Sequence, residues 1–401
     1  MKDWVVKVIS NKGNLVIIVV LLVLAASIQA IVADKSPSLD GEYLYTSYNN
    51  YTIFERSFHN LKDNQDLYTP NLEYHWDLYK YTPTFAAFFG LFAMLPYWIG
   101  IILWNSLNAF VLLFAIYYLP RLNKLEKGLV ILILLIELMT SIQNEQSNAL
   151  IAGLLVFSFG LLENKKYLIA TLFVVFSVFI KLFGIVGFAL FIFYPKKWKL
   201  ALYTALWTVV LFLIPLIFID TSQYLKLYQS YWNMLAHDHL VSYGYSMIGW
   251  LYSWFCLDIN KNIIVIVGII IFLIPLIKIR EYKYFAFRYL LLTSILIWIV
   301  IFNHKAESPT FIIAITGVAL WFIKNDKSYI NIVLLIIAII LTSLSQTDIF
   351  PRFVREDYFL PYTIKAFPCI LIWMKIIYDE LTRNFTKLES DKAISIEDSI
   401  N

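Results

Sequence analysis

Apolar runs of about 20 residues recur along this chain, each long enough to carry a helix across the hydrocarbon core of a bilayer. The clearest fall at 15–32, 97–119, 128–140, 149–162, 167–180, 184–194, 198–219, 262–277, 289–302, 309–323, 329–344 and 360–378. A soluble core cannot account for them. Hydrophobic residues make up 60% of the chain and charged residues 15%, against about 25% charged in soluble domains. Too little polar surface remains to cover such a core. The pattern predicts an all-α polytopic membrane protein with about 12 transmembrane helices, or up to about 14 if two shorter stretches, 84–95 and 247–255, also cross. We read those two as interfacial or re-entrant. The expected organisation is one transmembrane domain over 1–378, with a large outer loop at 34–82, and a polar cytoplasmic tail at 379–401.

Basic residues set the orientation. Lys2, Lys7 and Lys12 precede the first run, which reads as an uncleaved helix because it is long for a signal segment. Further clusters follow at Arg121, Lys124 and Lys127; at Lys165 and Lys166; at Lys196, Lys197 and Lys199; at Lys278, Arg280, Lys283 and Arg288; and at Lys324 and Lys327. They occupy every second turn of the path, which places those turns and both termini in the cytoplasm and the chain in the cytoplasmic membrane. The net charge of +4 gives no reason to expect nucleic acid. Cys256 and Cys369 form no CxxC pair, which excludes a thiolate zinc site or a disulfide framework.

The unusual polar residues fall on the opposite, outer face. The 34–82 loop carries eight acids (Asp34, Asp40, Glu42, Glu55, Asp63, Asp66, Glu73, Asp77) and four bases, and is dense in Tyr, Trp and Phe. A long loop of that composition is folded and functional rather than disordered; the alternative is an aromatic belt that only anchors it. Ile53, Phe54, Phe58 and Leu61 suit a short amphipathic helix on the membrane surface. His75-Trp76-Asp77 brings a carboxylate beside a histidine and an indole, a setting in which Asp77 can act as a general base. The stretch Gln143-Asn144-Glu145-Gln146-Ser147-Asn148 reads either as a hairpin turn or as a sugar contact. Glu145 is an acid where a turn needs none, and the amides of Gln146 and Asn148 suit sugar hydroxyls.

Lys181 lies within apolar sequence, as do Glu137 and Lys365, and ionisable groups at membrane depth usually face a cavity or a partner. Lys181 either neutralises a phosphate or snorkels to the interface. His304 and Glu307 share the short Asn303–Pro309 turn, and Arg352 and Arg355 form the last outer cluster, where guanidinium forks suit a phosphate ester; loop ion pairing is the plainer reading of both. His237-Asp238-His239 is an incomplete ligand set, so no metal site and no cofactor are expected.

In these places the chain resembles glycosyltransferase family 87, polyprenyl-phosphate-dependent membrane enzymes of the GT-C superfamily. The likeness rests on Asn50-Tyr51 through Asp66-Leu67-Tyr68, on Tyr81-Thr82-Pro83 followed by Leu95-Pro96, on Glu145-Gln146-Ser147-Asn148 with Glu in place of the family's Gly, on Lys181, and on Tyr245-Ser246-Met247-Ile248-Gly249. The resemblance implies a GT-C-like fold and a hexosyltransferase that moves a mannose-like hexose from a polyprenyl-phosphate sugar to a lipid or glycan acceptor at the outer face. Family members carry Asp, the expected base, at the start of the first-loop segment, where this chain has Asn50. An amide cannot take a proton. Asp77 is the expected replacement, with Glu55 and Glu307 as further candidates; otherwise transferase activity has been lost. Asn49, Asn50, Gln146, Asn148, Lys181, His304, Arg352 and Arg355 are the candidate substrate-binding residues.

The chemistry agrees with this reading. Nucleotide sugars are cytoplasmic, so an outer-face transferase needs a lipid-carried donor. A polyprenyl phosphate leaves without a general acid, so the site needs a base for the acceptor and cations for the phosphate. Two other classes compete: a lipid or polysaccharide transporter, and a non-catalytic subunit of envelope-polysaccharide assembly. The absence of a strong internal repeat and the one-sided loop disfavour the transporter. Asn50 keeps the second alternative open.

Overall fold

A computed structural model describes residues 2–38, 40–237 and 242–386. The described chain is predominantly helical, and its one sheet is a two-residue antiparallel ribbon. Three of its helices are long and apolar enough to cross a membrane unaided: Lys12–Val32, Tyr97–Tyr118 and Lys197–Ile217. A fourth candidate, Arg352–Phe359 with Ile364–Thr382, is bent by 81°. Eight shorter apolar helices of 10–17 residues accompany them. This is an all-α membrane protein. Of the 379–401 tail, residues beyond 386 lie outside the described ones, as do Asp238 and His239.

The chain divides into two compact units, residues 1–185 with 198–241, and residues 186–197 with 242–401. The first unit opens with α1 (Lys2–Ser10) and α2 (Lys12–Val32), the latter capped by the Asn11 side chain accepting from Gly13 N–H at 2.8 Å. The 34–82 loop follows. In it β1 (Ser36–Pro37) pairs with β2 (Leu44–Tyr45), Ser36 opposite Tyr45. Then comes α3 (Asn49–Lys62), the amphipathic helix expected from Ile53, Phe54, Phe58 and Leu61. Those four residues are buried. Protein rather than lipid covers this face: α3 lies on α4 (Pro83–Ala93), and the Phe54 ring meets Phe85 at 5.2 Å and Phe89 at 5.3 Å. A Cβ on Gly90 of α4 would stand 2.4 Å from the Phe58 ring, so the close approach of α3 and α4 needs glycine there.

Helix α4 starts where Thr82 caps Phe85 N–H and Pro83 takes the first helical position, a combination that fixes a helix start. Its 11 residues span about 16 Å at 1.5 Å rise each, too short to cross a bilayer. It is largely buried within the first unit. Next are α5 (Tyr97–Tyr118), α6 (Lys124–Gln143), α7 (Asn148–Glu163) and α8 (Tyr167–Ile180). α5 packs against α7, α7 against α8, and α2 against both α5 and α6. α6 begins in a reciprocal cap between Asn123 and Glu126. The expected span at 184–194 is instead a 3-10 helix, Leu182–Phe193, most of which is assigned to the second unit. α9 (Lys197–Leu213) and α10 (Thr221–His237) complete the unit. α10 is tied to the outer loop by Ser230 Oγ donating to Asp66 Oδ2 at 2.6 Å.

The second unit holds α11 (Met247–Phe255), α12 (Lys261–Leu273), α13 (Phe285–Ile301), α14 (Phe311–Lys324), α15 (Tyr329–Ile337), a one-turn α16 (Arg352–Val354) and α17 (Phe367–Thr382). α13 packs on α14 and α17, and Trp373 Nε1–H of α17 donates to Ser294 Oγ of α13 at 3.0 Å. α15 widens into a π-helix at Ala338–Ser343. Beside it the fully buried Lys365 ammonium donates to the Thr342 carbonyl at 3.0 Å. Cys256 is exposed and Cys369 buried, both as free thiols.

Candidate active site

The turn from α6 into α7 is the polar centre of the first unit. Its backbone closes on α6, with Glu145 N–H donating to the Ile142 carbonyl at 3.2 Å and Gln146 N–H to the Ser141 carbonyl at 3.3 Å. Helix α5 holds it from the side. Trp104 Nε1–H donates to the Glu145 carbonyl at 2.7 Å, and Asn108 Oδ1 accepts from Leu150 N–H at 3.0 Å. Closing the hairpin this tightly puts Glu145 at φ +46°, the left-handed region that favours glycine.

Lys181 sits one residue past the end of α8, in extended backbone, and its side chain reaches this turn. Its Nζ donates to Asn148 Oδ1 at 3.0 Å and to Gln146 Oε1 at 3.4 Å, while Asn148 Nδ2 donates to Gln146 Oε1 at 2.5 Å. The Tyr81 ring lies 5.4 Å from the ammonium and the Phe183 ring 5.8 Å. Thr82 Oγ1 hydrogen-bonds the Phe179 carbonyl, which fixes Tyr81 beside the end of α8. Three segments far apart in sequence thus meet at one cation held by two amides and backed by aromatic rings.

On another side of the same turn, Asn50 Nδ2 donates to the Asn144 carbonyl at 2.8 Å. Here a cavity of about 660 Å³ opens, lined among others by Asp40, Tyr43, Asn49, Asn50, Trp76 and Glu145. Its size is that of a small-molecule site. Glu145 is 1% exposed, and neither carboxyl oxygen has a hydrogen-bond partner among the described residues. Burial holds this carboxyl well above the usual carboxylate range.

The other carboxylates of this unit sit differently. Asp77 Oδ1 accepts from Lys80 Nζ at 3.0 Å and from Leu78 N–H at 2.7 Å. Its carbonyl meets His75 Nδ1 at 2.7 Å, and burial pushes the His75 imidazole below its usual range. Trp76, next to Asp77, lines the cavity. Glu55 is half-buried on α3; burial raises its carboxyl and the neighbouring Arg56 opposes the shift. Arg56 in turn stacks 3.5 Å from the centre of the Tyr74 ring.

The second unit carries the remaining candidates. His304 Nε2 lies 3.4 Å from Lys261 Nζ, and Glu307 caps the short turn of Ser308–Thr310. Tyr245 N–H donates to the Ala306 carbonyl at 2.9 Å, joining the Asn303–Pro309 turn to the Tyr245–Gly249 segment, where Ser246 caps α11. Arg352 pairs with Glu356 at 2.7 Å, and Arg355 with Asp348 at 2.7 Å.

Within the first unit, then, the structure brings Gln146, Asn148 and Lys181 together, and Asn49 and Asn50 to one cavity. Asp40, Tyr43 and Trp76 were not among the candidate site residues read from the sequence, and Glu145 was marked there only as an unneeded acid in the turn, without a role. The available signals were the aromatic density of the outer loop and an acid in a hairpin turn that requires none.

No curated protein matches the chain. The sequence model of glycosyltransferase family 87 matches residues 79–302, from Tyr79 at the end of the outer loop through Lys181 to the end of α13. That is more than half of the chain, and this membrane protein belongs to glycosyltransferase family 87.

Proposed function

We propose that the protein transfers a hexose, mannose-like in class, from a polyprenyl-phosphate sugar to a lipid or glycan acceptor on the outer face of the cytoplasmic membrane. The supporting fold is a GT-C-like bundle with about 12 crossings. Both termini lie in the cytoplasm, as the alternating Lys and Arg clusters favour. The observation that carries the reading is the Lys181 ammonium, held at 3.0 Å by Asn148 and 3.4 Å by Gln146 beside Tyr81, in a chain of a glycosyltransferase family.

The chemistry follows from those groups. The acceptor hydroxyl attacks the anomeric carbon, and the bond from that carbon to the phosphate oxygen breaks. Negative charge grows on the departing phosphate, and a fixed, preorganised ammonium stabilises it more than mobile water would. Gln146 and Asn148 hold that ammonium in place and offer their remaining amide groups to sugar hydroxyls. Arg352 and Arg355 are further cations suited to a phosphate, and His304 a further polar contact. A carboxylate takes the acceptor's proton; Asp77, Glu55 and Glu307 are the candidates named from sequence.

The test is transfer from radiolabelled polyprenyl-phosphate hexoses to extracted envelope lipids and glycans by the purified protein. Wild type should transfer label. Lys181→Met should lower turnover by about 10²–10³-fold, the scale for removing one group that stabilises transition-state charge. Equal turnover in Lys181→Met would remove the ammonium from the mechanism. No transfer from any polyprenyl-phosphate hexose would reject the donor class.

A further inference from the structure

Glu145 carries two unfavourable features at once. Its carboxyl is buried with both oxygens lacking a hydrogen-bond partner among the described residues, which is costly for a group that can ionise. Its backbone lies at φ +46°, where any side chain is disfavoured relative to glycine. Strain and an unpaired buried acid at one residue, in the wall of a cavity, point to function rather than to stability.

The surroundings fit a hydroxyl-rich ligand. Trp76 and Tyr43 give the cavity aromatic surface; Asp40, Thr46, Asn49 and Asn50 give it polar groups. Asn50 cannot take a proton, but its amide ties α3 to the carbonyl just before Glu145. Trp104 holds the Glu145 carbonyl from the opposite helix. The carboxyl is therefore mounted on a turn fixed from two sides. Asp77, by contrast, has one oxygen already engaged by an ammonium and a backbone N–H.

We propose that Glu145 is the catalytic base, and that the cavity beside it seats the sugar or other polyol portion of the acceptor. This rests on the transferase reading above. In the step, an acceptor O–H gives its proton to a Glu145 carboxylate oxygen while the hydroxyl oxygen forms its bond to the anomeric carbon. The bond from that carbon to the phosphate oxygen breaks, and its electron pair leaves with the polyprenyl phosphate. The products are the glycoside, the lipid phosphate and a protonated Glu145, which then returns its proton to water. No oxidant, reductant or further reactant is needed.

The experiment compares wild type, Glu145→Gln, Glu145→Gly and Asp77→Asn as purified full-length proteins, in the radiolabelled polyprenyl-phosphate hexose assay. Binding of the donor is measured in parallel. Glu145→Gln keeps shape but cannot accept a proton; Glu145→Gly also relieves the left-handed backbone, so it serves if the amide variant folds poorly. Both should lose about 10²–10⁴-fold in turnover, the range for a general base, with donor binding unchanged. Full turnover in either folded Glu145 variant overturns the assignment, and an inactive Asp77→Asn beside an active Glu145→Gln moves the base to Asp77. If wild type itself transfers from no polyprenyl-phosphate hexose, the donor reading falls and this assignment falls with it. That failure shows in the wild-type control alone, before any variant is compared.

Discussion

The Asn50 side-chain amide donates to the Asn144 carbonyl at 2.8 Å, so the first turn of α3 is tied directly to the residue preceding Glu145. Asn50 and Glu145 therefore line one cavity, joined through a contact between residues 94 positions apart in the chain.

That arrangement makes the carboxylate transferable between the two positions. Asn50→Asp alone removes the donor that holds the Asn144 carbonyl and sets a second carboxylate in the same cavity. It should lower stability by about 0.5–1.5 kcal/mol, the net value of one hydrogen bond. Asn50→Asp combined with Glu145→Gly should recover at least tenfold over Glu145→Gly alone. Turnover of the pair in the labelled-donor assay checks this; a double variant no faster than Glu145→Gly would mean that position 50 cannot reach the acceptor hydroxyl.

Burial raises the Glu145 carboxyl, so the folded chain holds that proton more tightly than the unfolded chain. The sign follows: stability is complete below the unfolded value, about 4.3, and declines as pH rises toward the folded value. Activity runs the other way, because only the ionised group accepts a proton. Turnover should rise, and melting temperature fall, over one pH interval above about 4.3. Among other titratable groups, Asp40, held low by Ser38, and Tyr45, raised by burial, line the cavity, while Tyr48 and Glu55, both raised by burial, belong to α3 and its N-terminus. Glu55→Gln is thus the control. The fall in melting temperature should vanish in Glu145→Gln and persist in Glu55→Gln; the reverse pattern would assign the titration to α3.

Gly153 is where α7 approaches the backbone of α5: a Cβ there would lie 2.7 Å from Leu112 N. Gly153→Ala should separate these helices and cost about 1–3 kcal/mol from overpacking, partly offset by about 1 kcal/mol of better helix propensity. The separation also loosens Trp104 against the Glu145 carbonyl, so turnover should fall along with the melting temperature. A variant with unchanged melting temperature would show that the two helices have room to part.

The sequence by itself determined the class of the protein. Apolar runs of membrane length, Thr82-Pro83 at a helix start, the spacing of Ile53, Phe54, Phe58 and Leu61, and the order of short motifs through Lys181 are local or ordered signals that need no knowledge of packing. They led to an all-α membrane protein and to the right family. Only the tertiary structure decided what covers α3, that 184–194 forms a 3-10 helix, and that α15 widens into a π-helix beside the buried Lys365. Glu145 shows why. The sequence marks it as an acid in a turn, but that turn is held by Trp104 on one helix and by Asn50 of the 34–82 loop, with the cavity walled by residues as distant as Asp40 and Trp76. Hydrophobic periodicity specifies which segments are helical because each turn reports on its own few neighbours. Which helix meets which, and which polar group is left without a partner, depends on contacts between segments whose pairing a single sequence does not record.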